Sequence, residues 1–110
     1  METYSNNLFQ GIPEVLHQEW VETLIDQDFF RVERIVSRGQ ISPPDFWYDQ
    51  NEFEWVVLLA GKAQLQIEGQ ENFVTLNPGD TYSLPPHVKH RVAWTDPAQA
   101  TIWLAVFWRS

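Results

Sequence analysis

The 110-residue chain has no cysteine, and only 7 lysine and arginine residues stand against 15 aspartate and glutamate residues. Without cysteine the chain can form no disulfide, no thiolate metal site and no cysteine nucleophile. A formal net charge of −8 makes nucleic acid and anionic membranes poor partners, because both are bound by clustered basic residues. No apolar run approaches the roughly 20 residues that span a bilayer. The first residues also lack a secretory pattern, so we expect a cytoplasmic protein that binds neither nucleic acid nor a membrane.

Apolar and aromatic residues are plentiful, with a hydrophobic share of 44% that includes 6 tryptophans and 7 phenylalanines. This length and composition suit one compact domain with a sizeable core. Pro13 is typical of a first helical turn, and apolar residues follow it at roughly helical spacing to about Asp26. The pattern predicts an N-terminal arm with one short helix over residues 1–28.

From Phe29 onward the apolar pattern changes to alternation, and residues 29–110 are predicted to form a β-barrel. Glycine and proline residues separate seven short segments of strand character. Such spacing is typical of an all-β sandwich or small barrel. The first predicted strand begins at Phe29, and the others are Glu52–Ala60, Lys62–Glu68, Phe73–Leu76, Thr81–Leu84, Val88–Trp94 and Thr101–Trp108.

Glu54 is the most informative residue, because it interrupts the apolar run from Phe53 to Ala60, which reads as a strand buried on both faces. An ionised carboxylate at such a position needs a metal, a cation or several hydrogen-bond donors. A structural ion pair with Arg34 or Arg91 is the alternative to a functional site. His90, at the end of a second strand and turn, is the second candidate.

The residues around Glu54 and His90 resemble the two sequence motifs of the cupin family. Six residues separate Glu54 from Gly61, as in the first motif, and the spacing from Gly79 to His90 matches the second. The resemblance covers residues 39–94 and implies a cupin jelly roll, which is a double-stranded β-helix. In chain order, the matching residues are Gly39, Glu54, Gly61, Gly79, Pro85 and His90.

The chain departs from the family pattern at the His-x-His pair of the first motif. Counting back from Glu54, its two positions fall on Trp47 and Asp49, or on Tyr48 and Gln50 under the shorter spacing. Metal-binding cupins commonly use three histidines and one glutamate. The stretch from Ser42 to Gln50 is similar to a subgroup of small bacterial cupins often labelled mannose-6-phosphate isomerase-like.

The resemblance implies a divalent metal near Glu54 and His90, with Asp49 or Gln50 as an oxygen donor. His87, which stands where the second motif has glycine, is a turn residue and a further candidate ligand. Oxygen-rich ligation with one or two imidazoles suits Mn, Fe, Ni or Zn. Solvated loop groups are the alternative for Asp49 and Gln50.

We expect Glu54 and Tyr48 to be the catalytic groups. Trp47, Tyr48 and Tyr82 are candidates to line a ligand pocket, with plain core packing as the alternative for the aromatic residues.

The sequence therefore predicts a small-molecule-binding cupin that holds a divalent metal, with an isomerase-like activity on a sugar-like substrate. A metal-free ligand-sensing cupin, a metal-dependent oxygenase and a purely structural dimer are the alternatives. A homodimer is expected, because the strands Trp55–Leu59 and Ile102–Trp108 are apolar on both faces.

Overall fold

The structure is a computed structural model that describes residues 5–109. Eight strands account for the regular structure of this range. In chain order the strands are β1 Trp20–Asp26, β2 Phe30–Ser37, β3 Phe53–Ala60, β4 Ala63–Ile67, β5 Val74–Leu76, β6 Thr81–Leu84, β7 His90–Thr95 and β8 Thr101–Trp108.

The strands form two antiparallel sheets that face each other across the core. The larger sheet has the order β1-β2-β8-β3-β6 and the smaller one β5-β4-β7. Inward side chains of both sheets meet in one apolar cluster, as expected for a jelly roll whose strands bury alternate residues. The buried members of the cluster are Val56, Leu58, Ala63, Leu65, Ile67, Leu76, Leu84 and Trp103.

The prediction of an N-terminal helix was wrong. Trp20–Asp26 is strand β1, which pairs antiparallel with β2 from Trp20 opposite Val36 to Asp26 opposite Arg31. The β-branched residues of this segment fit a strand, and cross-strand pairing outweighs a loosely helical spacing of apolar residues. No helix long and apolar enough to cross a membrane occurs among the described residues.

The seven strands predicted from Phe29 onward are confirmed as β2 to β8. Strand β3, however, is buried on one face only: Glu54, Val56 and Leu58 point inward, whereas Trp55 and Val57 are half-exposed on the outer face. Glu54 therefore lies on the side of the strand that meets the core.

Gly61 makes the corner between β3 and β4. Its φ is 86°, a left-handed conformation that glycine adopts without a steric penalty. A Cβ atom at this position would lie 2.6 Å from Cα of Thr101 and 2.8 Å from the carbonyl oxygen of Ala100. The backbone of β8 thus passes too close for any other residue, which explains the glycine at the end of the first motif.

Candidate functional site

A cavity of about 200 Å³ lies between the two sheets. Strands β1, β2, β3, β4, β6, β7 and β8 and the segment before β3 all contribute to its wall. The lining residues are Glu19, Val21, Arg31, Glu33, Ile35, Tyr48, Gln50, Glu54, Val56, Leu65, Leu84, His90, Val92, Trp103, Ala105 and Phe107.

Glu54 and His90 meet inside this cavity. Glu54 is the second residue of β3, opposite Leu84 of β6 and Phe107 of β8, and His90 is the first residue of β7, opposite Ile67 of β4. The two side chains come from different sheets and both are buried. Oε1 of Glu54 lies 3.4 Å from Nε2 of His90.

A backbone carbonyl orients the His90 ring. Nδ1 lies 3.0 Å from the carbonyl oxygen of Val88, which can only accept, so Nδ1 carries a proton and Nε2 faces Glu54. Burial lowers the pKa of His90, but the hydrogen bonds with Glu54 and Val88 and the charge of Glu54 outweigh it, so the pKa is raised. The pair is thereby suited to hold a proton between the carboxylate and the imidazole.

Gln50 and Tyr48 complete this part of the site. The Gln50 amide Nε2 donates to Oε1 of Glu54 at 2.8 Å. The Tyr48 ring stacks on His90, with ring centroids 5.5 Å apart and an angle of 24° between the planes. The backbone of Tyr48 also forms a β-bridge with that of His90. The shorter of the two possible motif spacings, which selects Tyr48 and Gln50, therefore places its residues at the cavity.

The Tyr48 phenol stays protonated in this setting. Burial, and then the nearby carboxylates of Glu19 and Glu54, raise the pKa of Tyr48. Since its hydroxyl keeps its proton, the phenol is available as a hydrogen-bond donor to a bound molecule.

Asp49 and His87 lie apart from the Glu54–His90 pair. Nδ1 of His87 lies 2.8 Å from Oδ1 of Asp49, and the His87 side chain is 68% exposed. Neither residue lines the cavity. His87 has a φ of 63°, the left-handed conformation that explains why the family pattern has glycine there.

Of the three predicted pocket residues, one lines the cavity and two do not. Tyr48 lines the cavity, whereas Trp47 and Tyr82 do not; Tyr82 packs on the apolar cluster of the core instead. Trp103 lines the cavity and is only 5% exposed. Its indole Nε1 has no hydrogen-bond partner among the described residues.

The sequence reasoning missed three charged residues of the cavity wall, namely Glu19, Arg31 and Glu33. Glu19 was predicted to lie in the N-terminal helix, so it was not expected next to a strand of the barrel. Arg31 and Glu33 stand on the polar side of the alternation in β2, which usually faces water. They share one face of β2 with Ile35, which packs against the core, and this shared face was the available signal.

Glu19 lies near other carboxylates, whereas Arg31 is itself bound by two carboxylates. Burial raises the pKa of Glu19; a hydrogen bond with Ser37 opposes this, and the carboxylates of Glu54 and Glu33 add to the rise. The Arg31 guanidinium binds Glu33, at 3.2 Å, and Glu52. It also lies over the Phe107 ring, 4.0 Å from its centroid.

A structural pair between Glu54 and Arg34 or Arg91 is not formed. Arg34 pairs with Glu22 at 3.1 Å and donates to backbone carbonyls of the N-terminal arm. Arg91 donates to Gln66 and to the carbonyl oxygen of Ser42. The basic side chain that does lie next to Glu54 is His90.

The donor set does not fit a resident metal ion. The 3.4 Å between Oε1 of Glu54 and Nε2 of His90 matches the roughly 3.4 Å expected for two bonds near 2.1 Å at a tetrahedral angle. Catalytic zinc sites, however, use three protein ligands and structural ones four. In residues 5–109 no group of three or more histidine, aspartate or glutamate side chains is placed to hold an ion. Gln50 stands in a ligand position but donates an N–H to Glu54.

Solved structures share this fold over nearly the whole chain. A protein from Ralstonia eutropha JMP134, named for a proposed mannose-6-phosphate isomerase activity, is 40% identical with a TM-score of 0.95, and the match covers 98% of this chain and 100% of that one. An RmlC-like cupin with a double-stranded β-helix fold from Methanocaldococcus jannaschii is 20% identical with a TM-score of 0.69, covering 89% and 86%. A conserved Streptococcus pyogenes protein of unknown function is 17% identical with a TM-score of 0.76, covering 100% and 90%.

No curated protein matches the chain. The model of the Cupin_2 family, described as a cupin domain, matches residues 32–107. This range runs from within β2 to within β8 and includes Glu54 and His90. By sequence and by fold, the chain belongs to the Cupin_2 family.

Proposed function

We propose that this cupin binds a small organic molecule in the cavity between its sheets, through Glu54 and His90 and without a metal ion held by the protein. The observation that carries the proposal is the buried acid–imidazole pair, 3.4 Å apart, in the wall of a cavity of about 200 Å³. A cavity with a few convergent polar groups in an apolar wall is typical of ligand sites. An engineered cavity of about 150 Å³ binds benzene, so the volume suits a small molecule.

The polar groups of the wall can exchange a proton or form a hydrogen bond with a ligand. The Glu54–His90 pair can exchange a proton with a bound molecule, and the Tyr48 hydroxyl can donate a hydrogen bond. Trp103 supplies part of the wall. Gln50 donates to Oε1 of Glu54, the same oxygen that faces His90, and so helps to hold the carboxylate in place. Together they support binding of a polar molecule with at least one acceptor oxygen.

An isomerase-like activity is the second candidate function. Isomerisation of a carbonyl compound needs one group that removes a proton and another that returns it. Glu54 and His90 form such a pair, and the name of the Ralstonia protein, which is 40% identical, refers to a sugar phosphate isomerase. Tyr48, stacked on His90, would position the reacting group.

A binding screen with matched variants tests the proposal. Wild-type protein, Glu54→Gln and the control Glu71→Gln, which removes an exposed carboxylate from the β4–β5 turn, are titrated with small polar compounds by NMR. Because a hydrogen bond to a charged group contributes roughly 1.5–3 kcal/mol, Glu54→Gln should weaken binding at least about tenfold. The control should bind like the wild type. If Glu54→Gln only lowers stability and every ligand binds unchanged, the site is structural.

We also propose that the chain forms a homodimer through the outer face of the larger sheet. Trp55 and Val57 of β3 are half-exposed there, and Phe53 stacks on Trp108 at a centroid distance of 5.5 Å. A contiguous apolar face of this kind is typical of a subunit contact. Light scattering should give twice the monomer mass for the wild type and the monomer mass for Trp55→Glu; a monomeric wild type would contradict the proposal.

A further inference from the structure

The cavity wall contains more acidic than basic side chains. Three acids, Glu19, Glu33 and Glu54, face two basic residues, Arg31 and His90. Charge in a partly enclosed site is screened less than at the surface, so this balance affects which ligands enter.

Both basic residues already have carboxylate partners. Arg31 is held by Glu33 and Glu52, and His90 faces Glu54. Within residues 5–109, no lysine and no second arginine lines the cavity. Phosphate groups are bound in proteins by unengaged arginine or lysine side chains or by helix N-termini, and the part of the wall formed by these residues offers neither.

Glu19, in contrast, is an acid without a cation. The contact recorded for its carboxylate is a neutral one, with the Ser37 hydroxyl at 3.3 Å, and no ion pair to Glu19 is formed within residues 5–109. Burial and the neighbouring acids also disfavour its charged form. A cation brought by the ligand would relieve both effects.

The cavity is open beside Glu19. Val21, two residues further along the chain on β1, also lines the cavity and is 49% exposed. A cation carried by an entering molecule can therefore reach the Glu19 carboxylate from this side.

We propose that the cavity selects a small molecule that carries a protonated amine, bound by the Glu19 carboxylate, and that it rejects phosphorylated molecules. The inference rests on the proposed ligand-binding function and narrows it to one class. It also separates this chain from the sugar phosphate chemistry in the name of its Ralstonia relative.

Three hexoses that differ mainly in charge provide the test. Mannosamine carries a cation, mannose is neutral and mannose 6-phosphate carries a negative charge at neutral pH. Titration followed by NMR or calorimetry should give mannosamine an affinity at least about tenfold above that of mannose 6-phosphate, with mannose between them, because complementary charge favours the first and opposes the last. Raising the salt concentration should reduce the difference.

Variants then assign the preference to Glu19. Glu19→Gln should reduce mannosamine affinity about tenfold while mannose binding stays the same, and Glu71→Gln should change neither. Equal affinities, a preference for mannose 6-phosphate, or an unchanged preference in Glu19→Gln would overturn the inference and leave the binding function standing. Failure of all three sugars to bind a folded wild type that does bind another compound of the NMR screen would overturn the inference alone. If the screen gives no ligand at all, both proposals are overturned.

Discussion

The variant Tyr48→His/Gln50→His should convert the site into one that binds metal. Both side chains lie beside the Glu54–His90 pair: the Gln50 amide is 2.8 Å from Oε1 of Glu54, and the Tyr48 ring is stacked on His90. Imidazoles at these two positions would raise the number of metal ligands from two to four. Such a set is that of a closed zinc site.

The gain in affinity can be worked from the ligands added. Four-ligand zinc sites bind with about 10–16 kcal/mol, or roughly 3 kcal/mol per ligand, so two new ligands would contribute about 6 kcal/mol. This corresponds to roughly 10⁴-fold tighter binding. The Gln50–Glu54 hydrogen bond, worth roughly 2 kcal/mol, and the Tyr48–His90 stacking, worth about 1 kcal/mol, are lost with the substitution itself. Their loss lowers the stability of the metal-free variant and does not reduce its metal affinity.

The assay is metal content by mass spectrometry after purification without chelators, followed by calorimetric titration with Zn²⁺ and Mn²⁺. The matched control is Trp47→His/Asp49→His, which places the same two imidazoles at the longer motif spacing, outside the cavity. Thermal melts establish that each variant is folded. Stoichiometric metal in the wild type would refute the conclusion that its ligand set is incomplete. Equal metal binding by the two double variants would refute the assignment of Tyr48 and Gln50 to the ligand positions.

Three further predictions concern stability. Gly61→Ala should lower the free energy of unfolding in urea by about 3 kcal/mol, since left-handed strain adds to the overlap with the β8 backbone at Thr101; a loss below about 1 kcal/mol would contradict the close approach. His87→Gly should be about 1 kcal/mol more stable than His87→Ala, because the positive φ of this residue strains alanine but not glycine, and equal urea midpoints would show that the turn relaxes. The raised pKa of His90 contributes stability that is fully present below the ordinary histidine value of about 6.5 and is lost as the pH rises through the folded value. Urea unfolding from pH 5 to 8 should show this decline in the wild type and a weaker one in Glu54→Gln, and parallel curves would refute the Glu54–His90 coupling.

Strand positions were predictable because each strand from Phe29 onward carries its own local signal. Alternation from Ala63 to Ile67 and the glycines at its two ends mark β4 without any knowledge of its neighbours. Trp20–Asp26 lacked such a signal, and its pairing with β2 is a non-local contact. The helix prediction failed there because local spacing of apolar residues does not include the cross-strand hydrogen bonds that decided the conformation.

Some residues of the candidate site were also predictable from local sequence, and others were not. Glu54 stood out because a charge within an apolar run demands a partner, and motif spacing pointed to His90. The surroundings of Glu19, and the choice between the residue pairs Tyr48/Gln50 and Trp47/Asp49, depended on which side chains face one another across the two sheets.

By itself, the sequence determined the class of fold, the family and two residues that meet in the cavity wall, Glu54 and His90. Glycine turns, strand alternation and a charge within an apolar run are all encoded within short stretches of chain. Only the tertiary structure decided that Gln50 and Tyr48 stand at the positions of the missing histidines, that Arg31 is neutralised by Glu33 and Glu52, and that Glu19 lacks a cation among the described residues. These properties depend on distances between strands remote in sequence. Charge pairing and ligand geometry are set by such distances, which no local pattern contains.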